Sequence, residues 1–356
     1  MSLPRSDFAA VDLPSAKVLL VGGRTSATAD TATVDLYDPG ANTTKAAASM
    51  HIARQGESAT LLHSGKVLVA GGSATPGGMA LASAELYDPV ADSWTAAASM
   101  AQQRRDHVAV LMNNGKVYVT GGDGGTESNG QPGPSPTAPE VYDAATNTWT
   151  SAPTFYGARP YGPTATVLSD GRVMVIGGVA IIGPQTAELY DPATAQMVVG
   201  RREPVENDTR NFATAARLPD GRVIVVGGQD SANPTGALNS TDLFDAAMEV
   251  PNCGDPTSCM PWAAGPAMNV GHCRNTLTEL QAGRLFVAGG KCGSQEPIAA
   301  TELFDPASMR WWSVAPMTEP RGFHVAVLLS DGRLMVAGGI LRDGSITATT
   351  EIYMPA

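Results

Sequence analysis

The sequence is poor in charge, in aromatic residues and in cysteine. Charged residues make up 16% of its 356 positions and aromatics 6%. No run of 18 apolar residues occurs, which excludes a membrane-spanning helix. A basic surplus is also missing. The formal net charge is −11, so a general nucleic-acid binder is excluded. The opening MSLPRSD lacks the apolar segment of a signal peptide, although a mature or trimmed form would start in the same way. The P-loop, zinc-type CxxC, HExxH and GxSxG motifs are all absent. Cysteines number four and fall between 253 and 292.

Glycine (39) and proline (26) are plentiful, which favours many short strands joined by turns. Gly-Gly pairs closing an apolar run begin at 22, 71, 121, 177, 227, 289 and 338. Each follows a run such as KVLVA (66–70). Each precedes an aromatic-centred segment: VDLYD, AELYD, PEVYD, AELYD, TDLFD, TELFD and TEIYM. Four repeats then carry a tryptophan, at 94, 149, 262 and 311. The unit reads as four antiparallel strands, a to d. Asn114-Gly115, Asp170-Gly171, Asp220-Gly221 and Asp331-Gly332 predict two-residue type I′ turns between strands a and b. Repeats of about 50 residues with four strands make propeller blades, which bury a continuous core only when stacked.

The Arg, strand, Gly-Gly, Tyr-Asp, Trp pattern resembles the kelch repeat family over nearly the whole chain. The resemblance implies an all-β, seven-bladed kelch-type β-propeller spanning 1–356 as one domain. The seventh repeat stops after its strand c, so the last blade is expected to be incomplete unless an upstream segment completes it. The family includes enzymes, adaptors and structural proteins, so fold alone does not give function.

Connectivity places the d–a junctions and the variable b–c loops on one face, where binding is expected. Counting 17 residues upstream of each Gly-Gly pair gives Arg5, Arg54, Arg104, Pro160 with Arg159 beside it, Arg210, His272 and Arg321. Two readings compete. The arginines tie blades together, or they line a mouth that attracts a polar or anionic small molecule or glycan. The binding set is Arg54, Arg104, Arg159, Arg210, Asn211, Arg274 and Arg321. Position −15 diverges between repeats (Asp7, Gly56, Asp106, Gly162, Phe212, Arg274, Phe323), which suggests an asymmetric site. Candidate acid–base residues at this face are Asp106 at −15, His107 and His324 at −14, His272 at −17 and Tyr161 beside Gly162; for the histidines a structural reading stands beside the catalytic one. The link 200–210 adds Glu203, Glu206 and Asp208 over the mouth.

The chain also resembles, distantly, the propeller of galactose oxidase and related copper radical oxidases. Their Tyr-His copper site matches Phe323-His324 here, so the histidine is kept and the tyrosine is lost. Tyr161 lies one residue from the redox tyrosine's slot, and Cys273 falls in a different blade from that tyrosine's cysteine. Copper chemistry is therefore not expected, and no cofactor or metal is assigned. Four readings stay open: a ligand-binding propeller, a non-redox lyase, cyclase or isomerase at the same mouth, a galactose oxidase-like oxidoreductase, and a protein-interaction scaffold. A monomer is expected, with no nucleic-acid or membrane partner.

Hairpin register, taken with a two-residue turn at Ala282-Gly283, sets Cys273 directly opposite Cys292, within disulfide reach. Cys253 and Cys259 would close a second, local loop. Two bridges would favour a secreted or periplasmic protein; free thiols would favour the cytoplasm.

Overall fold

A computed structural model describes residues 1–127, 131–154, 158–178, 186–202, 210–230, 236–248 and 262–355. Seven antiparallel sheets follow one another along the chain as blades. Blade two is typical: Gln55–Leu61 (strand a), Val67–Ser73 (b), Ala84–Asp88 (c) and Ser93–Ala97 (d). The innermost strands of the others are Ala9–Asp12, Val108–Leu111, Tyr161–Val167, Thr214–Arg217, Thr276–Glu279 and Val325–Leu328. Six sheets have four strands. The seventh has three among the described residues and ends on Thr350–Tyr353. The only helical segments described are two short 3-10 turns.

Strand b is apolar throughout because both of its faces are covered. Val67, Leu68, Val69 and Ala70 are all buried, as are Val223 to Val226 in blade five. Neighbouring blades share each core: Leu19 and Val21 of blade one pack with Val67, Val69, Tyr87 and Trp94 of blade two. Strand a is only half-buried, for example over Val108–Leu111, because it lines the central channel.

The Gly-Gly pair marks where the next blade's d–a junction crosses. The Gly72 amide donates to the Arg104 carbonyl at 2.9 Å. A Cβ on Gly71, whose φ is +67°, would lie 2.4 Å from that same oxygen. Only glycine fits, so the pair recurs in every repeat.

The a–b turns differ from expectation. Met112 N donates to Lys116 O and Gly115 N to Met112 O, so the loop has three residues, not two. Gly115 has φ +80°, whereas Asn114 is not among the positive-φ residues. The turn is type I followed by a left-handed glycine, not type I′. The side chain explains the choice: Asn114 Oδ1 accepts the Lys116 amide, and Asp170, Asp220 and Asp331 do the same for Arg172, Arg222 and Arg333.

The blade-six register shifts accordingly. Thr276 pairs with Ala288, and the Lys291 amide donates to the Cys273 carbonyl. Cys273 therefore faces Lys291, one residue short of Cys292. The disulfide between Cys273 and Cys292 forms across this offset, with Cα atoms 5.6 Å apart. Cys253 and Cys259 lie outside the described residues. No described helix is long and apolar enough to cross a membrane.

Candidate functional site

The register arginines are scaffold. Arg54 is 0% exposed and donates to the carbonyls of Gly71 and Ser83, to Ser83 Oγ and to Glu85. Arg104 binds Gly121 O, Ala138 O and Glu140. Arg210 reaches Gly227 O, Ser240 and Asp242, and Arg321 reaches Gly338 O, Thr349 and Glu351. Arg5 and Arg159 repeat the pattern with Gly22 O and Gly177 O. Each ties its own first glycine to the acid of its strand c. These guanidiniums have no accessible surface with which to meet a ligand, which corrects the binding role expected of Arg54, Arg104, Arg159, Arg210 and Arg321.

His272 substitutes for an arginine in that role. It is fully buried, its Nδ1 lies 2.9 Å from Gly289 O, and its Nε2 lies 3.4 Å from Glu302. Burial alone would raise the Glu302 carboxyl, but His272 and the Asn269 and Val270 amides outweigh it and hold it low.

His107 and His324 belong to a second structural ring, at position −14. His107 Nε2 lies 2.8 Å from Ser58 Oγ, and His324 Nε2 lies 3.3 Å from Thr276 Oγ1. Asn275 makes the same link to Thr214 at 3.1 Å. Each residue bonds a hydroxyl on strand a of the preceding blade. Burial and the adjacent Arg104 or Arg321 push both imidazoles down to about 3. They are neutral and only weakly basic near pH 7, and their bonds to the preceding blade favour the structural reading. Glu57 occupies this position in blade two but faces Ala9, which has no hydroxyl. Its carboxyl oxygens find no hydroxyl to bond, and burial outweighs the nearby Glu57 and Ala9 amides and Arg54, raising its pKa well above the usual range.

Position −15 forms the channel mouth. Asp7, Gly56, Asp106, Gly162, Phe212, Arg274 and Phe323 all have positive φ, between 46° and 65°. Backbone bonds join neighbours around the ring: Gly56 N to Asp7 O, Asp106 N to Gly56 O, Phe212 N to Gly162 O, Arg274 N to Phe212 O and Asp7 N to Phe323 O. The left-handed turn aims each side chain into the channel. Arg274 lies between two phenyl rings, its guanidinium carbon 3.5 Å from the centroid of Phe212 and 5.1 Å from that of Phe323. Asp7 and Asp106 face it from blades one and three.

The b–c loops add a charged collar. Arg105, from the adjoining d–a junction, donates through Nε to Asp123 at 2.8 Å, and the backbones of Arg24 and Asp30 pair across a two-stranded ribbon. Burial and repulsion from Asp106 push Asp7 up to about 7, against the pull of Arg24 and Arg274. Desolvation by the surrounding channel walls likewise raises Asp106, although its side chain reaches solvent, and lifts Asp30 to about 6. Among the described residues, these four carboxyl groups and three arginines meet at the mouth.

Of the expected site residues, the structure brings Asp106 and Arg274 to the mouth. Asn211 is buried beside it, its side-chain oxygen accepting the Gly178 amide at 3.0 Å. The Tyr161 backbone pairs with Gly178 at the rim. Glu203, Glu206 and Asp208 lie outside the described residues. Arg24, Asp30, Arg105 and Asp123 escaped sequence reasoning because loops of different blades assemble them. Gly56 and Gly162, two glycines in one register, were the available signal for the left-handed ring.

A Kelch motif family profile matches residues 57–101 and 104–155. A kelch-like protein, terF, of Aspergillus terreus is 25% identical over 224 residues, covering 60% of this chain and 46% of its own length. A galactose oxidase of Gibberella zeae is 25% identical over 240 residues, covering 60% of this chain and 33% of its own. A solved fungal alcohol oxidase of the AA5 family, in complex with copper, superposes with a TM-score of 0.74. It is 17% identical, and the match covers 99% of this chain and 75% of that one. The chain is a β-propeller that resembles kelch proteins distantly, with a Kelch motif matched in two stretches. It spans less than half the length of these curated relatives.

Among the described residues, the Phe323-His324 pair does not fit a copper ion. Phe323 offers no oxygen ligand and lies near the Arg274 guanidinium. His324 is turned into the blade interface, against Gly289 and Thr276. Among the described residues no three His, Cys, Asp or Glu side chains are placed to hold a metal ion.

Proposed function

We propose that this propeller binds a neutral, polyhydroxylated small molecule or glycan at the position −15 mouth. One observation carries the reading. Asp7, Asp106 and Arg274 converge on one opening with Phe212 and Phe323, while the scaffold arginines are withdrawn. Carboxylates and a guanidinium together satisfy hydroxyl groups in both directions, and phenyl edges cover the apolar face of a sugar ring. With Asp7, Asp30 and Asp106 all raised, the carboxyls and arginines of the mouth come close to charge balance, which suits a neutral ligand. The similarity to galactose oxidases supports a sugar-like ligand. The disulfide supports an extracytoplasmic site of action.

A panel of mono- and oligosaccharides, polyols and sugar acids, screened by thermal shift and then calorimetry, tests this. Asp7→Asn and Arg274→Met are expected to weaken binding by about tenfold or more, at unchanged fold, through loss of charge-assisted hydrogen bonds. Preferential binding of sugar acids would refute the neutral class.

A second reading rests on Asp7 being held at about 7. That value suits a general base near neutral pH, as in a lyase or isomerase. Turnover of a bound ligand, lost in Asp7→Asn with binding retained, would favour the enzyme over the binder.

A further inference from the structure

Five of the seven residues at the mouth carry a side chain on the left-handed turn, and two are glycine. The turn itself does not demand glycine, because Asp7, Asp106, Phe212, Arg274 and Phe323 make it at φ 46° to 58°. What the two glycines lack is room. A Cβ on Gly56 would lie 2.6 Å from Oδ1 of Asp106. One on Gly162 would strike the Phe212 ring, 2.8 Å from its Cε1. Gly65, in an a–b turn at φ +82°, has nothing within 4 Å of the same point.

In both cases the obstruction comes from the next blade. The Asp106 carboxyl folds back over Gly56, and the Phe212 ring folds back over Gly162. Arg274 continues the second series, its guanidinium carbon 3.5 Å from the centroid of Phe212. These three side chains each lean on the preceding blade. The backbone runs beneath them: Gly56 N donates to Asp7 O, and Asp106 N to Gly56 O, both at 2.8 Å. With no side chain at 56, the Asp106 carboxyl comes next to Asp7 around the ring and repels it. Arg24, Arg274, Glu57 and the Ser6 hydroxyl also face Asp7, while Arg24, Arg105, Asp123 and Arg274 face Asp106.

We infer that Gly56 and Gly162 are positioning residues of the mouth. By yielding their places to Asp106 and Phe212, they divide the ring into an acid pair, Asp7 with Asp106, and a stack of Phe212, Arg274 and Phe323. The mouth thereby gains a polarity that seven equivalent positions would lack. The consequence for a ligand rests on the polyol site proposed above. A sugar entering the mouth is oriented, with its hydroxyl-bearing edge towards the acid pair and its apolar face on Phe212. A methyl group at either glycine disturbs its own half and spares the scaffold, because the atoms it meets first belong to the Asp106 and Phe212 side chains.

Gly56→Ala and Gly162→Ala test this without any ligand, beside Gly65→Ala as an equally left-handed turn that touches no neighbour. The Asp7 carboxyl is followed by NMR titration. Burial first and Asp106 second hold it at about 7 in the parent. Displacing Asp106 removes only the second cause, so Gly56→Ala should lower the midpoint by roughly half a unit, and Gly65→Ala should leave it in place. Asp106→Asn should lower it in the parent and have little further effect in Gly56→Ala; the parent arm reads the acid pair even where Gly56→Ala does not fold. In Gly162→Ala the Arg274 side-chain protons should lose the ring-current shift that Phe212 imposes. An Asp7 midpoint indifferent to Asp106→Asn, or moved as far by Gly65→Ala as by Gly56→Ala, overturns the acid half. An unchanged Arg274 shift in Gly162→Ala overturns the other. Calorimetry with the panel of sugars and polyols separates the two proposals. A panel sugar that binds the parent should bind Gly56→Ala about tenfold more weakly, and equal affinity overturns the orientation. The NMR shifts without any panel binding to the parent would uphold the divided mouth and refute the polyol site.

Discussion

Asp106 has φ 53° and Phe212 φ 58°, yet neither is glycine. Two blades, at Gly56 and Gly162, show the unstrained solution to the same turn. A left-handed side-chain residue costs about 1–2 kcal/mol, and such strain persists where a side chain is needed for a purpose. Asp106→Gly should therefore raise the Tm while abolishing ligand binding; a lower Tm would show the side chain to be structural. Asp7 gives a pH test. Its carboxyl is raised to about 7 in the fold, against about 3.9 when unfolded. A raised acid contributes most to stability below its unfolded pKa, and that contribution is lost as pH rises towards 7. Asp7→Asn should accordingly be more stable than the parent at pH 8, with the gap closing by pH 4. A gap independent of pH would show that Asp7 is not held protonated.

Among elements, repetition and function pull in opposite directions. Arg104 is tied to Gly121 O, Ala138 O and Glu140, and its removal would leave Glu140 buried without its cation. Arg104→Met is expected to cost about 3–5 kcal/mol by denaturant titration, while ligand affinity below the transition is unchanged. Lost affinity with stability intact would return the arginine to the site. The blades, the Gly-Gly crossings and the Tyr-Asp turns were legible because every repeat restates them. The turn type was not, because Asp-Gly reads alike in a two- and a three-residue loop, and the one-residue error carried through to Cys273 and Lys291. The candidate site was legible only where repeats disagree, at position −15. Arginines that recur in six blades looked like a binding surface, but recurrence is the mark of scaffold. Arg24, Asp30, Arg105 and Asp123 had no sequence signal, since neighbouring blades bring them together only after the ring closes.

Within residues 1–355 the chain crosses six seams between blades, and contacts alone join blades one and seven. Blades one and seven meet through Asp7 N to Phe323 O, Gly339 N to Arg5 O and Arg5 N to Thr347 O. The Met1 amine adds a bond to Ala348, and Ser2 binds Asp35 through both its amide and its hydroxyl, holding residues 1–4 against the ring. These contacts join residues more than 300 positions apart, so their closure entropy is the largest in the fold. Each blade touches only its neighbours, which makes stability a sum over seams and lets the weakest open first. The Asp7 and Gly339 amides should therefore exchange hydrogen faster than their counterparts Gly56 and Gly72, which make the same bonds at a chain-crossed seam. Deleting residues 1–4 should lower protection in blades one and seven before it affects blade four. Uniform protection across all seven seams would mean that the ring opens as a single unit, and that the mouth, built on strand starts from every blade, is as rigid at blade one as elsewhere.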